Sequence, residues 1–269
     1  MSLLDRATNF VYTKAQNTVL SILSAGPVPR HVAFVMDGNR RHARQHQKDI
    51  IEGHAAGFLA LRRTLEICLR LGVQCVTVFA FAIPNFKRSA KEVDDIMHLA
   101  EEKLIELCQH EDLLLTYGVK LNIIGKTELL PPFVQAAIEK AEGMTQHNTK
   151  AILNICMPYT SSHEITSAVE STIRDALEAG PQFEINEEAI EARLMISKVG
   201  SPPLDILVRT SGVKRLSDFM LWQCCEDTQI HLSAPYWPDF SLKEVIPIVL
   251  DYQRKVWAAQ AKAKSDVQL

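Results

Sequence analysis

No apolar run in this 269-residue chain approaches the ~18 residues that a bilayer-spanning helix would need. The six cysteines, at 68, 75, 108, 156, 224 and 225, form no C-x-x-C pair and have no histidine at zinc-finger spacing, which excludes the common structural zinc signatures. Most stand in apolar runs, where cysteine behaves as a small core residue, and a reducing compartment fits that usage. The N-terminus lacks the basic-then-apolar layout of a secretory signal and is read as mature sequence. Internal repeats, low-complexity tracts and Pro/Gly/Ser linkers are also missing, so one domain is the economical count. What is present is ordinary for a globular protein: 47% apolar and 23% charged residues.

The net charge of −3 is unevenly spread. Residues 1–50 hold seven basic and three acidic residues, a local +4 that leaves −7 for the rest. Either the first fifth of the chain meets an anion or it presents a solvated basic face. Leu3, Leu4, Asn9, Phe10, Val11, Val19, Leu20, Ile22 and Leu23 form an intermittently apolar stretch ending at Gly26-Pro27. It reads as an amphipathic helix, packed on its own domain or lying on a membrane surface.

From His31 the punctuation becomes regular. Strand-like runs at 31–36, 75–83, 119–124, 151–157 and 204–208 alternate with helical patterns. One helix is expected from about Ala55 to Leu71, closed by Gly72. Capping boxes at Ser89/Glu92 and Ser161/Glu164 open two more, the first with a stripe of Val93, Ile96, Met97, Ala100, Leu104, Leu107 and Cys108. Pro131 marks a further helix start, Asn186 a short one, and a final helix begins near Leu242. The alternation predicts an α/β fold, a single domain whose mostly parallel central sheet of about six strands is flanked by helices. The domain is expected over 30–260, with an N-terminal helical segment 1–29 and a tail 261–269. Ligands in such sheets collect where the strands end.

Two of those ends are basic loops. The first strand runs into Asp37-Gly38-Asn39-Arg40-Arg41, with Arg44 following, and this suits an anion held by arginine forks while Asp37 holds a divalent cation. An ordinary turn with a solvated basic helix start is the alternative. The second, Arg209-Thr210-Ser211-Gly212 with Lys214, Arg215 and Ser217, follows a strand and is read as opening a helix. Two anion sites favour an enzyme that joins two phosphorylated substrates. Between them, Phe81 to Arg88 couples an apolar strand end to Asn85 and Arg88. His54 alone reads as a cap or core residue, and Asp205 as structural. The Met97, Leu104 and Leu107 stripe is either core or the lining of an acyl or prenyl tunnel.

The blocks HVAFVMDGNRR (31–41), EGH (52–54), NFKRS (85–89), RTSGVKRLSDFMLWQ (209–223) and WPDF (237–240) resemble the cis-prenyltransferases, nearest in type to the catalytic subunit of eukaryotic dehydrodolichyl diphosphate synthases. The resemblance spans roughly residues 30–255. It implies head-to-tail condensation of isopentenyl diphosphate onto an allylic diphosphate such as farnesyl diphosphate, giving polyprenol of dolichol length for protein glycosylation. It implies Mg2+ at Asp37, and allylic diphosphate on Gly38, Asn39, Arg40, Arg41 and His54, with Arg88 nearby. Arg209, Arg215 and Ser217 match the isopentenyl diphosphate site, and Asn85 the position implicated in proton removal. The growing chain would fill an apolar tunnel between sheet and helices.

The chain departs from the family pattern at Phe81-Ala82-Ile83-Pro84-Asn85, where many relatives carry Phe-Ser-x-Glu-Asn, and at Gly125-Lys126, where Gly-Asp is usual. It has no glycine after Gly212, hence no C-terminal Arg-x-Gly. A heteromer is therefore expected, with an accessory subunit of the Nogo-B receptor type supplying that motif. Peripheral association with the cytosolic face of the endoplasmic reticulum and no nucleic-acid partner complete the implied picture. The rival readings are a noncatalytic accessory subunit of the same fold and a phosphate-ester hydrolase using Asp37 and His54.

Overall fold

The computed structural model describes residues 3–107 and 113–266. Short runs rich in Val, Ile and Phe become strands: β1 (His31–Val35), β2 (Cys75–Phe79), β3 (Val119–Ile124), β4 (Ala151–Cys156), β5 (Ile206–Arg209) and β6 (Gln229–Leu232). They form one sheet in the order β3-β4-β2-β1-β5-β6, and every pairing is parallel. All five residues of central β1 are buried, as expected for a parallel strand covered on both faces. Edge strand β6 was not anticipated. Its four residues alternate between half-buried and exposed, and so short an alternation carries no strand signal.

The helices are α1 (Leu3–Ser24), α2 (Asn39–Gln45), α3 (Ile50–Leu71), α4 (Ala90–Leu107), α5 (Leu113–Thr116), α6 (Pro132–Thr145), α7 (Ser161–Ala179), α8 (Glu187–Glu191), α9 (Met195–Lys198) and α10 (Leu242–Asp266). α3 starts five residues before the predicted point, because the Glu52 carboxylate accepts the Asp49 N–H at 2.9 Å and caps it there. Gly72 ends it, as expected, in the left-handed region at φ 93°. The Ser89/Glu92 box is half formed. Ser89 Oγ accepts the Glu92 N–H at 3.3 Å, but the Glu92 carboxylate turns to Arg88 and Arg40 instead. Cys108, the last residue of the expected stripe, lies outside the described residues.

The Ser161/Glu164 box does not form. Asp218 caps α7, its carboxylate accepting the Ser162 N–H at 2.9 Å and its carbonyl the Ser161 N–H at 2.7 Å. Glu164 is fully buried, where it accepts from the Tyr159 hydroxyl at 2.6 Å and the Ile196 N–H at 3.0 Å. A carboxylate three residues after a serine fits a capping pattern, and only the tertiary partners reveal its other use. Asp205 is structural as expected, accepting the Arg30 and His31 N–H groups at 2.6 and 2.9 Å at the entry to β1.

The C-terminal half of α1 packs on its own chain. Leu20 and Leu23 join the core, Asn17 bonds Arg70 of α3, and Gln253 of α10 donates to the Leu23 carbonyl at 2.6 Å. The side chains of Leu3 to Val11 lie outside the described residues. α10 continues to Asp266, into the residues read as a tail.

Two glycines give a test with opposite signs. Gly125 follows β3 at φ 138°, and a Cβ there would lie 2.0 Å from the Pro158 carbonyl oxygen, whereas Gly143 in α6 faces open space. Gly125→Ala should cost roughly 3 kcal/mol or more. Gly143→Ala should stabilise by up to about 1 kcal/mol. Urea midpoints of the two variants would expose an error if both moved the same way.

Candidate active site

β1, β2 and β5 end in register, with Val35 opposite both Phe79 and Arg209. After Val35 the chain must leave the sheet sharply. Gly38 allows this at φ 111°, where a Cβ would meet the Tyr236 side chain at 2.7 Å. α2 then crosses α3 where Gly53 and Gly57 stand, and a Cβ on either would meet Asn39 within 2.7 Å. The motif glycines are thus spacers that seat the Asp37–Asn39 backbone.

The second basic loop is brought to the first by direct bonds. The Thr210 hydroxyl accepts the Asp37 N–H at 3.0 Å and donates to the Asp37 carbonyl at 2.7 Å. Arg209 Nη2 meets Asp37 Oδ2 at 2.8 Å, and Arg41 Nη2 meets Asp37 Oδ1 at 2.9 Å. The same Arg41 nitrogen donates to Ser211 Oγ at 2.7 Å. Arg209 also donates to Ser217 Oγ at 2.8 Å and the Arg215 carbonyl at 2.5 Å. Half-burial alone would raise the Asp37 carboxyl, but the hydrogen bonds and charges of Arg209 and Arg41 outweigh it and hold the carboxyl below the usual range. Asp37 is an ionised carboxylate clamped between two guanidiniums.

No helix follows this loop, contrary to the sequence reading. Left-handed residues Ser211, Gly212, Ser217, Asp218 and Met220 turn the backbone repeatedly. Fully buried Phe219 and Met220 anchor it, with Phe219 stacked on Phe79 at 4.5 Å. What the loop offers the cavity is therefore side chains, without a helix dipole. On the third side, a 3-10 turn over Ile83–Lys87 has Pro84 in its first two positions, where no backbone donor is required. Asn85 Oδ1 accepts the Ala82 N–H at 3.0 Å, which leaves its NH2 group to donate elsewhere.

All eleven predicted site residues line one cavity of about 670 Å3: Asp37, Gly38, Asn39, Arg40, Arg41, His54, Asn85, Arg88, Arg209, Arg215 and Ser217. Arg44 joins them, so six guanidiniums face a single carboxylate. That imbalance suits a polyanion. His54 is pushed down to about 4, first by burial and then by Arg88 and Arg40, with Glu92 opposing. It is therefore neutral at pH 7 and serves as a donor or acceptor rather than a charge. Its Nε2 has no hydrogen-bond partner.

A second, apolar cavity of about 120 Å3 adjoins the first, sharing Met36, Asn39, His54 and Ala80. It runs between the sheet face (Val78, Ile123, Ile155, Met157) and α3, α4 and α6. Ile96, Ala100, Leu104 and Leu107 of the α4 stripe line it, whereas Met97 packs in the core. The stripe thus contributes both to the core and to a cavity wall.

Several contributors escaped the sequence reading. Glu92 pairs with Arg88 at 3.0 Å and Arg40 at 3.6 Å, so it spaces two cavity arginines. Arg63 of α3 donates to the Pro238 and Phe240 carbonyls at 3.0 and 2.7 Å, securing the WPDF turn. Trp237 in that turn donates its backbone N–H to the Asp37 carbonyl at 3.0 Å. Apart from the local Arg88–Glu92 pair, these roles rest on long-range contacts.

Residues 35–258 match the pattern of the undecaprenyl diphosphate synthase family of prenyltransferases. The chain belongs to that family. A dehydrodolichyl diphosphate synthase complex subunit of Schizosaccharomyces pombe is 47% identical over 239 residues, 88% of this chain and 90% of the relative. The corresponding Homo sapiens complex subunit is 41% identical over 235 residues, 87% of this chain and 69% of the relative. Among solved structures, lavandulyl diphosphate synthase from Lavandula x intermedia, in complex with dimethylallyl diphosphate, superposes with a TM-score of 0.76 at 28% identity. That match covers 84% of this chain and 95% of the other. Every motif block carrying the resemblance starts or ends inside the matched span, and four of the five blocks contribute residues to the larger cavity.

Two buried histidines make the fold pH-sensitive. His31, whose ring contacts Pro202 and Thr77 at 2.8 and 2.7 Å, and His54 are both pushed from 6.5 to about 4, in each case first by burial, which for His31 outweighs the opposing Pro202 hydrogen bond and Asp205 charge. The unfolded chain binds these protons between pH 6.5 and 4 and the folded chain does not, so stability is full above 6.5 and falls toward 4. Each histidine adds a slope of at most about 1.4 kcal/mol per pH unit in that window. His54→Asn should flatten the dependence of the urea midpoint between pH 6.5 and 5; an unchanged slope would refute the neutral, buried assignment.

Proposed function

We propose that this chain is the catalytic subunit of a cis-prenyltransferase. It condenses isopentenyl diphosphate onto an allylic diphosphate, with farnesyl diphosphate as primer, and makes dehydrodolichyl diphosphate for dolichol synthesis and protein glycosylation. The observation that carries this reading is a cavity lined by six arginines and one aspartate that adjoins an apolar cavity and shares four lining residues with it. One end suits diphosphates and the other a hydrocarbon tail.

The first loop adjoins the apolar cavity, so Gly38, Asn39, Arg40, Arg41 and His54, with Arg88, are the allylic diphosphate site. Arg209, Arg215 and Ser217 take the isopentenyl diphosphate. Breaking the allylic C–O bond leaves the electron pair on the departing diphosphate and a cation at C1. The isopentenyl double bond attacks C1, forming the new C–C bond, and a proton leaves the adjacent carbon. Arginine hydrogen bonds to the leaving diphosphate strengthen as its charge grows, which stabilises the transition state more than the ground state. Asn85, with its oxygen held by Ala82, orients through its NH2 the diphosphate oxygen that takes the proton.

The donor set fits Mg2+ in one specific way. Among the described residues no cluster of three His, Cys, Asp or Glu could cage a cation. Mg2+, however, is commonly bound by one or two carboxylates together with substrate phosphate oxygens. Ionised Asp37 is the one carboxylate lining the cavity and would hold the ion. When bound, Mg2+ neutralises diphosphate charge; Arg41 and Arg209 do so independently from either side of Asp37.

The working enzyme is proposed to be a heteromer, with an accessory subunit of the Nogo-B receptor type contributing an Arg-x-Gly motif. The names of the yeast and human relatives, both complex subunits, support a partner. The product's long apolar tail has to be handed to a bilayer, which supports peripheral association with the cytosolic face of the endoplasmic reticulum.

Purified chain with its partner should incorporate radiolabelled isopentenyl diphosphate into a long lipid only when an allylic primer and Mg2+ are present. Asp37→Asn should lower turnover by about 10^2- to 10^3-fold. Wild-type turnover in that variant would remove Asp37 from the chemistry, and phosphate release without chain growth would favour the hydrolase.

A further inference from the structure

The segment Ser233–Trp237 binds both anion loops at once. Ser233 donates its N–H to the Arg209 carbonyl at 2.8 Å, and its own carbonyl accepts the Gly212 N–H at 2.9 Å. The Pro235 carbonyl accepts the Ser211 N–H at 2.7 Å, and the Trp237 N–H reaches the Asp37 carbonyl at 3.0 Å. Four backbone bonds therefore fix the intervening side chain, Tyr236, between the loops. Its ring lies against Gly38. Its face carries Arg41, whose guanidinium carbon is 5.4 Å from the ring centroid, inside the distance at which a guanidinium is held by an aromatic quadrupole.

Arg41 needs such a support. Both of its side-chain hydrogen bonds among the described residues, to Asp37 and Ser211, come from Nη2, so Nε and Nη1 remain available to the cavity. With an exposed fraction of 42%, the side chain could otherwise swing away on its flexible stem. A ring under the guanidinium fixes the plane of the fork, and a planar fork binds phosphate oxygens in pairs only when that plane is set. The tyrosine hydroxyl makes no hydrogen bond among the described residues, so the ring face is the functional part.

Resting on the diphosphate reading above, we propose that Tyr236 is a positioning residue for Arg41, setting the guanidinium between the two loops for bidentate contact with a substrate diphosphate. Tyr236 touches no reacting atom. It acts through Arg41 and through the segment that ties Asp37 to Ser211.

The test is calorimetric titration of the full chain with inorganic diphosphate, without Mg2+, comparing wild type, Tyr236→Phe, Tyr236→Leu, Arg41→Ala and the double variant Arg41→Ala/Tyr236→Leu. Tyr236→Leu keeps an apolar side chain against Gly38 but removes the ring face, and affinity should fall about three- to tenfold. Tyr236→Phe should bind like wild type. In the Arg41→Ala background Tyr236→Leu should cause no further loss, because a coupled pair is not additive. The inference is overturned if Tyr236→Leu binds as wild type does, or if it weakens binding equally with and without Arg41, which is the signature of a purely structural role. A wild type that binds no diphosphate would instead overturn the functional reading on which the inference rests.

Discussion

Residues 172 positions apart meet at one ion pair, Asp37 Oδ2 with Arg209 Nη2, and the site depends on it. Arg209 is almost fully buried, with 4% of its side chain exposed. A buried guanidinium has to be matched by acceptors, and Asp37, Ser217 and the Arg215 carbonyl supply them. Satisfying that charge pulls the loop after β5 against the loop after β1. Thr210 then locks the Asp37 backbone, and Arg41 closes the other side of the carboxylate. The ion pair is thus a structural joint and, at the same time, the place where two arginine-bearing loops share one carboxylate.

Around that joint the charges are sorted by type. Fixed positive charge comes only from arginine, whose planar fork suits phosphate oxygens. His54, which could have added a titrating charge, is kept neutral by burial and by its arginine neighbours. Glu92 sits behind Arg40 and Arg88 and restrains two like charges that would otherwise repel. The apolar cavity shares Asn39 and His54 with the charged one, so apolar and charged walls adjoin. Family membership and the shape of the cavity agree on an enzyme acting on prenyl diphosphates.

Much of this was legible from the sequence because the relevant signals are local. The strands β1 and β5 are short buried runs with Asp37 through Arg41 and Arg209 through Ser217 at their ends, and so the segments that line the cavity together could be singled out from the sequence. Less legible was anything requiring two distant segments. Glu164 fits a helix cap by spacing and becomes a buried hydrogen-bond acceptor only once Tyr159 and Ile196 surround it. Arg63 is an ordinary helix residue until the WPDF turn arrives beside it. The loop after β5 was expected to open a helix, but its left-handed residues and buried Phe219 favour a coiled path instead. β6 was too short and too polar to declare itself.

The central claim is that one cavity holds two diphosphates side by side, one on each loop. It is tested most directly by dual-isotope equilibrium dialysis of the assembled complex with an unreactive allylic thiodiphosphate and isopentenyl diphosphate together. The account predicts one molecule of each bound per chain at the same time. Mutual displacement, with a single diphosphate per chain at saturation, would contradict it.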